Sequence, residues 1–399
     1  MKKFAVFAVL ILCLLPTFAQ DEVLNLVDEC VVDYDPDVDY FPSKVTFDYA
    51  EGAEIEYHNN YKVVRTLVPY PGAEEPLEYV LVQCGTPAPD AADFASNAQF
   101  IEVPAGDIIS MSTTQLPPLK ELDLLDHLIG VDSIFYVNTP EVVELYDAGE
   151  LLEVGYGASV NIEVVLNAEP SIVMTYGYTA DDAPAVLMDA GVFTAVNNEW
   201  LEETLIARAE WIKFVAVFYN EESRANEFFD AMIADYESVA ALTADIPAEE
   251  RLVVLWNAYS SYGEAWNIPG QQTWVGDLLA DAGVNYVLMD DVPEGSVPMD
   301  FEVVYDAGFD APVWMPNAFM VNTLDDLLAL DSRYADFAAV EGGMVYNDTA
   351  RVNANGGNDY WETGITNPNL ILRDLVSIFY PELLPDHELT FYVKLESAE

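Results

Sequence analysis

The amino-acid sequence predicts an α/β protein with two Rossmann-like βαβ lobes, a long connecting α-helix between them and a β-rich extension at the N-terminus. Strand-like and helix-like segments alternate from Asp107 onward, which is typical of parallel βαβ units. Residues 192–246 contain neither Gly nor Pro and have apolar residues at helical spacing. The segment 161–174 (NIEVVLNAEPSIVM) also aligns with 300–315 (DFEVVYDAGFDAPVWM), which indicates two related lobes.

The composition supports packed lobes and excludes one class of partner. The chain has 399 residues, with 70 Asp and Glu against 14 Lys and Arg, and a formal net charge of −56. Hydrophobic residues make up 52% of the chain, so the charge does not indicate disorder. Because a polyanion of this strength is repelled by phosphate backbones, we expect no nucleic-acid partner.

The first 19 residues have the pattern of a secretory signal peptide. Two lysines precede an apolar run from Phe4 to Leu15, and the small residue Ala19 closes the pattern. Lipid attachment at Cys13 is the less favoured alternative, because a bulky leucine precedes this cysteine. We therefore expect an exported protein, in the periplasm or on the extracellular face of the membrane.

Residues 20–106 are predicted to form the N-terminal extension with hairpin strands. Its first part, 21–43, is rich in Asp and Pro and has no core of its own. β-branched and aromatic residues favour strands over the stretches 44–50, 55–68 and 77–84. Cleavage of the leader would leave two cysteines, Cys30 and Cys84. An even pair in an exported chain favours a disulfide, with two buried thiols as the alternative.

The N-terminal α/β lobe is predicted over residues 107–220. Its expected elements are a strand at 107–112, a helix at 116–130, a strand at 131–137, helices at 140–149 and 161–168, and a strand at 170–177. A further helix is expected through 200–219. The connecting helix is predicted at 221–246, with Asn220 or Ser223 as its cap.

The C-terminal α/β lobe is predicted over residues 247–399. Alternation of strands and helices resumes there after the long helical stretch. The expected strands are 251–256, 284–289, 311–316 and 343–347, and the expected helices are 273–283, 300–308, 324–331 and 367–379.

Catalytic and metal-binding signatures are missing from the sequence. It contains no G-x-S-x-G, H-E-x-x-H, phosphate-loop or G-x-G-x-x-G motif. The three histidines lie far apart in different predicted elements, so we expect no metal centre held by the protein. We expect a binding protein without a catalytic site. The main alternative is a secreted acidic hydrolase that uses a carboxylate pair in the cleft, and a cell-surface adhesion module is a second one.

Aromatic residues concentrate in the loops that follow predicted strands, where open α/β sheets bind their ligands. We expect these aromatic residues to line a cleft between the lobes, with Thr113, Asn257 and Arg351 as polar contacts. In particular, the planar guanidinium of Arg351 would hold an anionic group of the ligand. The aromatic candidates are Tyr176, Tyr178, Trp256, Tyr259, Tyr262, Trp266, Trp274, Tyr360 and Trp361.

Four segments of the chain resemble a known family, and they occur in that family's order between residues 107 and 385. DIISMSTTQLPPLKELDLLDHLIGV looks like the opening strand and helix of the iron-siderophore and cobalamin substrate-binding proteins of ABC transporters. NIEVVLNAEPSIVM is similar to a helix and strand of their first lobe. RAEWIKFVAVFYNEESRA resembles the entry to their connecting helix, and NPNLILRDLVSIFYPEL is similar to their C-terminal helix.

The resemblance implies a bilobal protein that captures a metal chelate between its lobes and delivers it to an ABC transporter permease. It implies no cofactor, and we expect a monomer. The positions that match the family's permease-docking glutamates are Glu163 and Glu302, one in each lobe. A ferric siderophore is the first expectation for the ligand, with haem and cobalamin open. The extension before residue 106 is larger than is usual in the family.

Overall fold

Two α/β lobes joined by one long helix form the main body of the protein, which confirms the predicted fold class. The computed structural model describes residues 24–260 and 263–397. The predicted leader, residues 1–19, lies outside this range, and so does Tyr262. Within the described ranges, no helix is both long enough and apolar enough to span a lipid bilayer.

The N-terminal extension contains a mixed sheet. Its strands, in spatial order, are β1 (Ala53–Tyr57), β2 (Tyr61–Thr66), β3 (Leu77–Gln83) and β4 (Gln99–Val103). β2 pairs antiparallel with β1 and β3, and β4 pairs parallel with β3. The sequence reasoning missed β4. It was also wrong at 44–50, an irregular segment in which the backbone N–H groups of Asp48, Tyr49 and Ala50 donate to the buried carboxylate of Glu210.

A disulfide between Cys30 and Cys84 ties the start of the extension to the end of β3. Their Cα atoms are 4.9 Å apart, and 54 positions separate the two residues in the sequence. The backbone N–H of Val31 also donates to the carbonyl oxygen of Cys84, at 3.0 Å. The Asp-rich segment before the sheet is therefore fixed to the body of the protein by a covalent bond and a backbone hydrogen bond.

The N-terminal lobe is built on an all-parallel sheet in the spatial order β7-β6-β5-β8-β9. The strands are β5 (Ile108–Ser110), β6 (Leu128–Val131), β7 (Leu152–Glu153), β8 (Ile172–Thr175) and β9 (Thr194–Val196). The helices are α1 (Leu116–Glu121), α2 (Pro140–Asp147), α3 (Ile162–Ala168), α4 (Ala183–Asp189), α5 (Leu205–Glu210) and α6 (Ile212–Ala216).

The region 116–137 differs from the sequence prediction. The predicted helix at 116–130 ends at Glu121, because Asp123 adopts a left-handed backbone conformation with φ of 61°. The apolar residues after it form β6 instead of continuing the helix. The predicted strand at 131–137 is a 3-10 turn over Ile134–Tyr136.

The extension and the N-terminal lobe share one hydrophobic core. Phe41 and Tyr79 from the extension pack in the same buried cluster as Trp211, Phe214 and Phe218 from the helical end of the lobe. The hydroxyl oxygen of Tyr79 also accepts a hydrogen bond from the backbone N–H of Val196 in β9, at 2.9 Å. The extension and the N-terminal lobe thus pack as one unit.

The connecting helix α7 (Glu222–Thr243) lies within the predicted range of 221–246. Its buried face consists of apolar residues at helical spacing, namely Ala225, Phe229, Met232, Tyr236 and Val239. This face packs against α6 on one side and against the last helix of the second lobe on the other. A helix of 22 residues supported at both ends makes a stiff connection.

The C-terminal lobe has a parallel sheet in the spatial order β13-β10-β15, a small antiparallel sheet of β11-β12-β14, and a β16-β17 pair. The strands are β10 (Val253–Trp256), β11 (Tyr259–Ser260), β12 (Ala265–Pro269), β13 (Asn285–Tyr286), β14 (Ser296–Met299), β15 (Val313–Met315), β16 (Tyr346–Asn347) and β17 (Val393–Lys394). The helices are α8 (Trp274–Asp281), α9 (Phe301–Gly308), α10 (Leu324–Leu330), α11 (Ala338–Glu341), α12 (Thr363–Thr366) and α13 (Pro368–Phe379).

The internal sequence similarity corresponds to equivalent elements of the two sheets. In the first lobe, α3 leads into β8, which pairs with the first strand of that sheet, β5. In the second lobe, α9 leads into β15, which pairs with the corresponding first strand, β10. The repeated Glu-Val-Val sequence therefore occupies the same topological position in both lobes.

A buried ion pair joins the extension to the connecting helix. Lys62 of β2 and Glu222, the first residue of α7, both have fully buried side chains, and Nζ lies 2.6 Å from Oε1. Asn220 accepts a second hydrogen bond from the ammonium, and Asn25 donates one to Glu222. Burial lowers the pKa of Lys62, and the nearby Glu222 carboxylate opposes this shift.

We expect Lys62→Met to lower the free energy of unfolding by about 3 to 5 kcal/mol, because it leaves the Glu222 carboxylate buried without its cation. The double variant Lys62→Met with Glu222→Gln should recover much of that loss. Lys44→Met serves as the control, since the Lys44–Asp39 pair is exposed and should contribute less than about 1 kcal/mol. Urea unfolding followed by circular dichroism measures all three, and equal effects at Lys62 and Lys44 would contradict the assignment.

Candidate functional site

A cavity of about 510 Å³ lies between the two lobes. The first lobe lines it with loops that follow the carboxyl ends of its parallel strands, where open α/β sheets form ligand sites. These residues are Met111, Ser112, Thr113 and Thr114 after β5, Asp132 and Tyr136 after β6, Tyr176 and Tyr178 after β8, and Glu199 and Trp200 after β9. The second lobe contributes Asn317, Phe319, Asp348, Gly356, Gly357, Asn358 and Trp361.

A second cavity of about 310 Å³ extends the first one into the C-terminal lobe. Asn317, Asp348 and Trp361 line both cavities, so the two form one continuous interlobe cleft. The remaining walls of the second cavity are Trp256, Asn257, Pro269, Thr273, Trp274, Val275, Gly295, Ser296 and Tyr360. We call the larger cavity the wide part of the cleft and the smaller one, which reaches α8, the narrow part.

Aromatic rings form contiguous surfaces on both walls of the cleft. In the first lobe the ring centroid of Tyr178 lies 5.1 Å from the ring centroid of Tyr176 and 4.8 Å from that of Trp200. In the second lobe the ring of Trp361 lies 5.7 Å from that of Trp274 in an edge-to-face arrangement. Trp361 remains 42% exposed, so one large aromatic surface is open to the cleft. Rings held against one another in this way present a preformed apolar surface to a ligand.

Most of the predicted site residues lie together in this cleft. Thr113 and Tyr176 line the wide part, Trp361 lines both parts, and the narrow part is lined by Trp256, Asn257, Trp274 and Tyr360. Tyr178, which the sequence also singled out, lines the wide part. Trp256 is the last residue of β10, Asn257 follows it, and Trp274 is the first residue of α8.

Two predicted aromatic residues lie outside the cleft. Trp266 is fully buried in the core of the second lobe, where its Nε1–H donates to the carbonyl oxygen of Trp256. Tyr259 packs its ring against Phe301. Both residues lie in the β11–β12 hairpin, which turns back over the lobe after β10, and this turn directs the two rings toward the core instead of the cleft.

Arg351 also lies outside the cleft. Its guanidinium pairs with Asp359, at 3.3 Å, and it lines a separate groove together with Lys120 and Glu121 of α1. The short irregular bridge between Val352 and Asn358 folds this loop over, so its glycines face the cleft while Arg351 faces the other way. The prediction that Arg351 contacts the ligand of the cleft does not agree with this position.

Three acidic residues of the cleft were missed by the sequence reasoning, namely Asp132, Glu199 and Asp348. With 70 acidic residues in the chain, their type alone does not distinguish them. The available signal was position, since Asp132 follows β6 directly and Asp348 follows β16. Asp348 is only 5% exposed and lines both parts of the cleft.

Burial changes the protonation of these acids. It raises the pKa of Asp348 to about 6. Burial also raises the pKa of Asp132 to about 6, against a hydrogen bond from the backbone N–H of Ser133. The pKa of Glu199 is raised by burial and is lowered in part by Thr114 and Arg208. Desolvation favours the neutral form of a carboxyl group, so keeping these carboxylates ionised in the cleft lowers the stability of the folded state.

Hydrogen bonds close one edge of the cleft. The carboxylate of Glu362, in the second lobe, accepts hydrogen bonds from the backbone N–H groups of Asn138 and Thr139 at the start of α2, each at 2.7 Å. Asn353 donates to the carbonyl oxygen of Val137, at 3.1 Å. A Cβ on Gly357 would lie 2.3 Å from the carbonyl oxygen of Tyr136, so glycine is needed where the lobes meet.

The two predicted docking glutamates occupy matching surface positions. Glu163 lies in the first turn of α3, and Glu302 lies in the first turn of α9. Both side chains are exposed. Glu302 accepts a hydrogen bond from Arg333, at 3.2 Å, although the guanidinium of Arg333 pairs more closely with Asp331.

Residues 108–352 match the periplasmic binding protein family, and the chain belongs to this family. The match covers the N-terminal lobe, the connecting helix and the C-terminal lobe as far as residue 352, and it confirms the resemblance found in the sequence. Proteins of this family bind a transported ligand and not a resident cofactor.

Two sequence relatives match most of this chain over most of their own length. The uncharacterized lipoprotein MJ0878 of Methanocaldococcus jannaschii is 24% identical over 330 residues, which cover 79% of this chain and 76% of the relative. The uncharacterized lipoprotein MJ0872 of the same organism is 25% identical over 334 residues, 80% of each chain. Neither name states a ligand.

Solved structures share the fold at low sequence identity. A possible iron-binding, periplasmic solute-binding protein from Staphylococcus epidermidis has a TM-score of 0.53 and 16% identity, and the match covers 69% of this chain and 99% of that one. Helicobacter pylori CeuE with Ni(II) bound also has a TM-score of 0.53, with 17% identity over 73% of this chain and 88% of that one. At these identities the likeness concerns the fold.

We expect Asp348→Asn to raise the free energy of unfolding by about 2 kcal/mol at pH 7.5, because it removes a buried carboxylate that is ionised there. The raised pKa of Asp348 means that the folded state gains stability from protonation as the pH falls through about 6. The advantage of the variant should therefore fall by roughly half by pH 5.

Urea unfolding at pH 7.5 and pH 5 tests this expectation. Asp310→Asn, which removes an exposed carboxylate outside the cleft, is the control and should change the stability by less than about 0.5 kcal/mol at either pH. A loss of stability for Asp348→Asn at pH 7.5 would mean that its carboxylate is held by favourable contacts, against the present interpretation.

Proposed function

We propose that this protein is the extracytoplasmic substrate-binding component of an ABC importer and that it captures a metal chelate in the interlobe cleft. A ferric siderophore is our first choice for the ligand, before haem or cobalamin. The observation that carries the proposal is the pair of aromatic walls, Tyr176, Tyr178 and Trp200 on one lobe and Trp274 and Trp361 on the other, which face one cleft.

The dimensions of the cleft suit a ligand of this size. Its two parts, of about 510 and 310 Å³, are in the range of small-molecule sites, which is roughly 300 to 1,000 Å³. Aromatic side chains bury the apolar faces of a chelate, and the polar groups of Thr113 and Asn257 are available for its oxygen and nitrogen atoms. The proteins of similar fold that are described as possible iron-binding or that hold Ni(II) support a metal-containing ligand.

An extracytoplasmic location agrees with several features of the chain. The family is that of periplasmic binding proteins, and the two relatives from Methanocaldococcus jannaschii are described as lipoproteins. The Cys30–Cys84 disulfide is of the kind that persists in oxidising compartments. Export by the N-terminal leader, with or without a lipid anchor, is part of the proposal.

We assign permease docking to Glu163 and Glu302. They occupy equivalent first turns of α3 and α9, so one carboxylate of each lobe is presented at the surface by the repeated element. Exposed carboxylates can form charge-assisted hydrogen bonds with arginines of a partner and orient it. Docking would draw Glu302 away from a single contact with Arg333, which Asp331 continues to hold.

Binding of a chelate should raise the thermal unfolding temperature and quench tryptophan fluorescence. A ligand present at 100 times its Kd adds about 2.7 kcal/mol to the stability of the folded state. We expect Trp361→Ala to weaken binding about tenfold or more, because it removes the open aromatic surface of the cleft. The measurement is a thermal-shift screen with ferric siderophores, haemin and cobalamin, followed by fluorescence titration.

Tyr156→Ala is the matched control, since this exposed aromatic residue lies outside both parts of the cleft and should leave binding unchanged. Failure of every chelate to shift the unfolding temperature would contradict the proposal. Turnover of a glycoside substrate that is lost in Asp348→Asn would favour the alternative, a hydrolase with paired carboxylates, because Asp132 and Asp348 line the same cavity.

Glu163→Gln and Glu302→Gln should weaken binding to the permease without changing ligand affinity. Each charge-assisted contact that is lost is expected to cost about tenfold in Kd, and the double variant more. The measurement is binding of the loaded protein to the permease of the same organism in nanodiscs, with Glu144→Gln, an exposed carboxylate of α2, as the control. Equal affinity of the double variant and the unaltered protein would remove this role from both glutamates.

A further inference from the structure

Asp348 presents a carboxylate to the cleft, and no cation in the described part of the chain forms an ion pair with it. Its side chain is 5% exposed, and it lines both parts of the cleft. Among the described residues, its carboxylate accepts a hydrogen bond from its own backbone N–H and from no other group. A buried carboxylate in this state lowers the stability of the empty protein, so a bound group that complements it would recover the lost energy.

A second acid faces the same cavity from the other lobe. Asp132 follows β6 and is partly buried, and one of its carboxylate oxygens accepts a hydrogen bond from the backbone N–H of Ser133, at 2.7 Å. The charge of another acid, Glu153, acts on it and raises its pKa further. The cleft therefore receives negative charge from both lobes, and a ligand between them would face a carboxylate on each side.

The cations of the surrounding elements are engaged elsewhere. Arg208 lies behind the wall, where it donates to the carbonyl oxygen of Trp200 at 3.0 Å and lies 5.4 Å from the ring centroid of Trp274. Its charge acts on Glu199, the third acid of the cleft. Arg351 pairs with Asp359 in a separate groove. The cleft-lining residues within 24–260 and 263–397 are neutral or acidic.

We infer that the cleft selects a metal complex of net positive charge over neutral and anionic complexes, and that Asp132 and Asp348 are the residues that determine this selection. The inference rests on the proposed function, because it names the ligand class of that same site. It replaces the sequence expectation that an arginine holds an anionic group. The formal charge of −56 on the whole chain acts in the same direction, since it attracts cations and repels anions before contact.

A matched series of chelates tests the inference, because it changes charge and keeps the metal centre. Ferrioxamine B carries one positive charge on its free amine, its N-acetyl derivative carries none, and its N-succinyl derivative carries one negative charge. Aquacobalamin and cyanocobalamin form a second pair, with one positive charge and none. Haemin supplies an anionic complex. Binding of each to the mature protein is measured by tryptophan fluorescence at physiological ionic strength.

We expect the cationic member of the series that binds to be held about tenfold more tightly than the neutral one, and the anionic member more weakly still. Asp348→Asn and Asp132→Asn should each reduce this ratio severalfold. Asp310→Asn removes one exposed charge that is not among the lining residues and should leave the ratio unchanged. Thermal unfolding of each variant confirms that it is folded.

The possible outcomes separate this inference from the proposed function. If the anionic member or haemin binds at least as tightly as the cationic complexes, charge selection is wrong and the binding function stands. The same conclusion follows if the ratio is unchanged in both Asp variants. If no chelate of either series and no haemin binds, the proposed function fails, and the inference fails with it.

Discussion

The buried contact between Lys62 and Glu222 determines how the three parts of the chain fit together. Lys62 lies in the sheet of the extension, and Glu222 begins the helix that leads to the second lobe. A second buried pair, Lys213 with Glu210, holds the irregular segment 44–50 of the extension against α5 and α6. In a chain with so few cations, their placement at this junction fixes the start of α7 and, through it, the position of the second lobe.

The buried acids of the cleft differ from those at the junction in their partners. At the junction each buried carboxylate has an ammonium within hydrogen-bond distance, whereas Asp348 is buried with only its own N–H as a donor among the described residues. Binding sites commonly retain such unfavourable arrangements, because groups prepared for a ligand are not optimised for the empty state. The paired acids Glu210 and Glu222 thus stabilise the fold, and on our inference Asp348 contributes to ligand selectivity.

The helices and strands could be predicted from the sequence where the periodicity of apolar residues is strong. The location of the candidate site could be predicted because, in a parallel α/β sheet, ligand sites lie at the carboxyl ends of the strands. The helices around Phe229 and Val304 and the strand at 172–175 have clear patterns. The carboxyl ends of strands and the loops after them were the right place to look for Trp256, at the end of β10, and for Trp361. The positions of Trp266 and Arg351 depend on how two loops fold back, which leaves no periodic signal. Asp132 and Asp348 are distinguished by burial, which appears only after folding.

The contact made by Glu362 has a consequence for how an occupied cleft could be sensed. Its neighbour in the chain, Trp361, lies in the wall of the cleft, while Glu362 itself holds the start of α2 in the opposite lobe. A ligand that displaces the indole of Trp361 therefore acts on the residue next to Glu362, whose carboxylate forms hydrogen bonds between the two lobes. The residue that contacts a ligand and the residue that joins the lobes are thus neighbours in the chain, so filling the cleft and setting the orientation of the lobes involve one short segment.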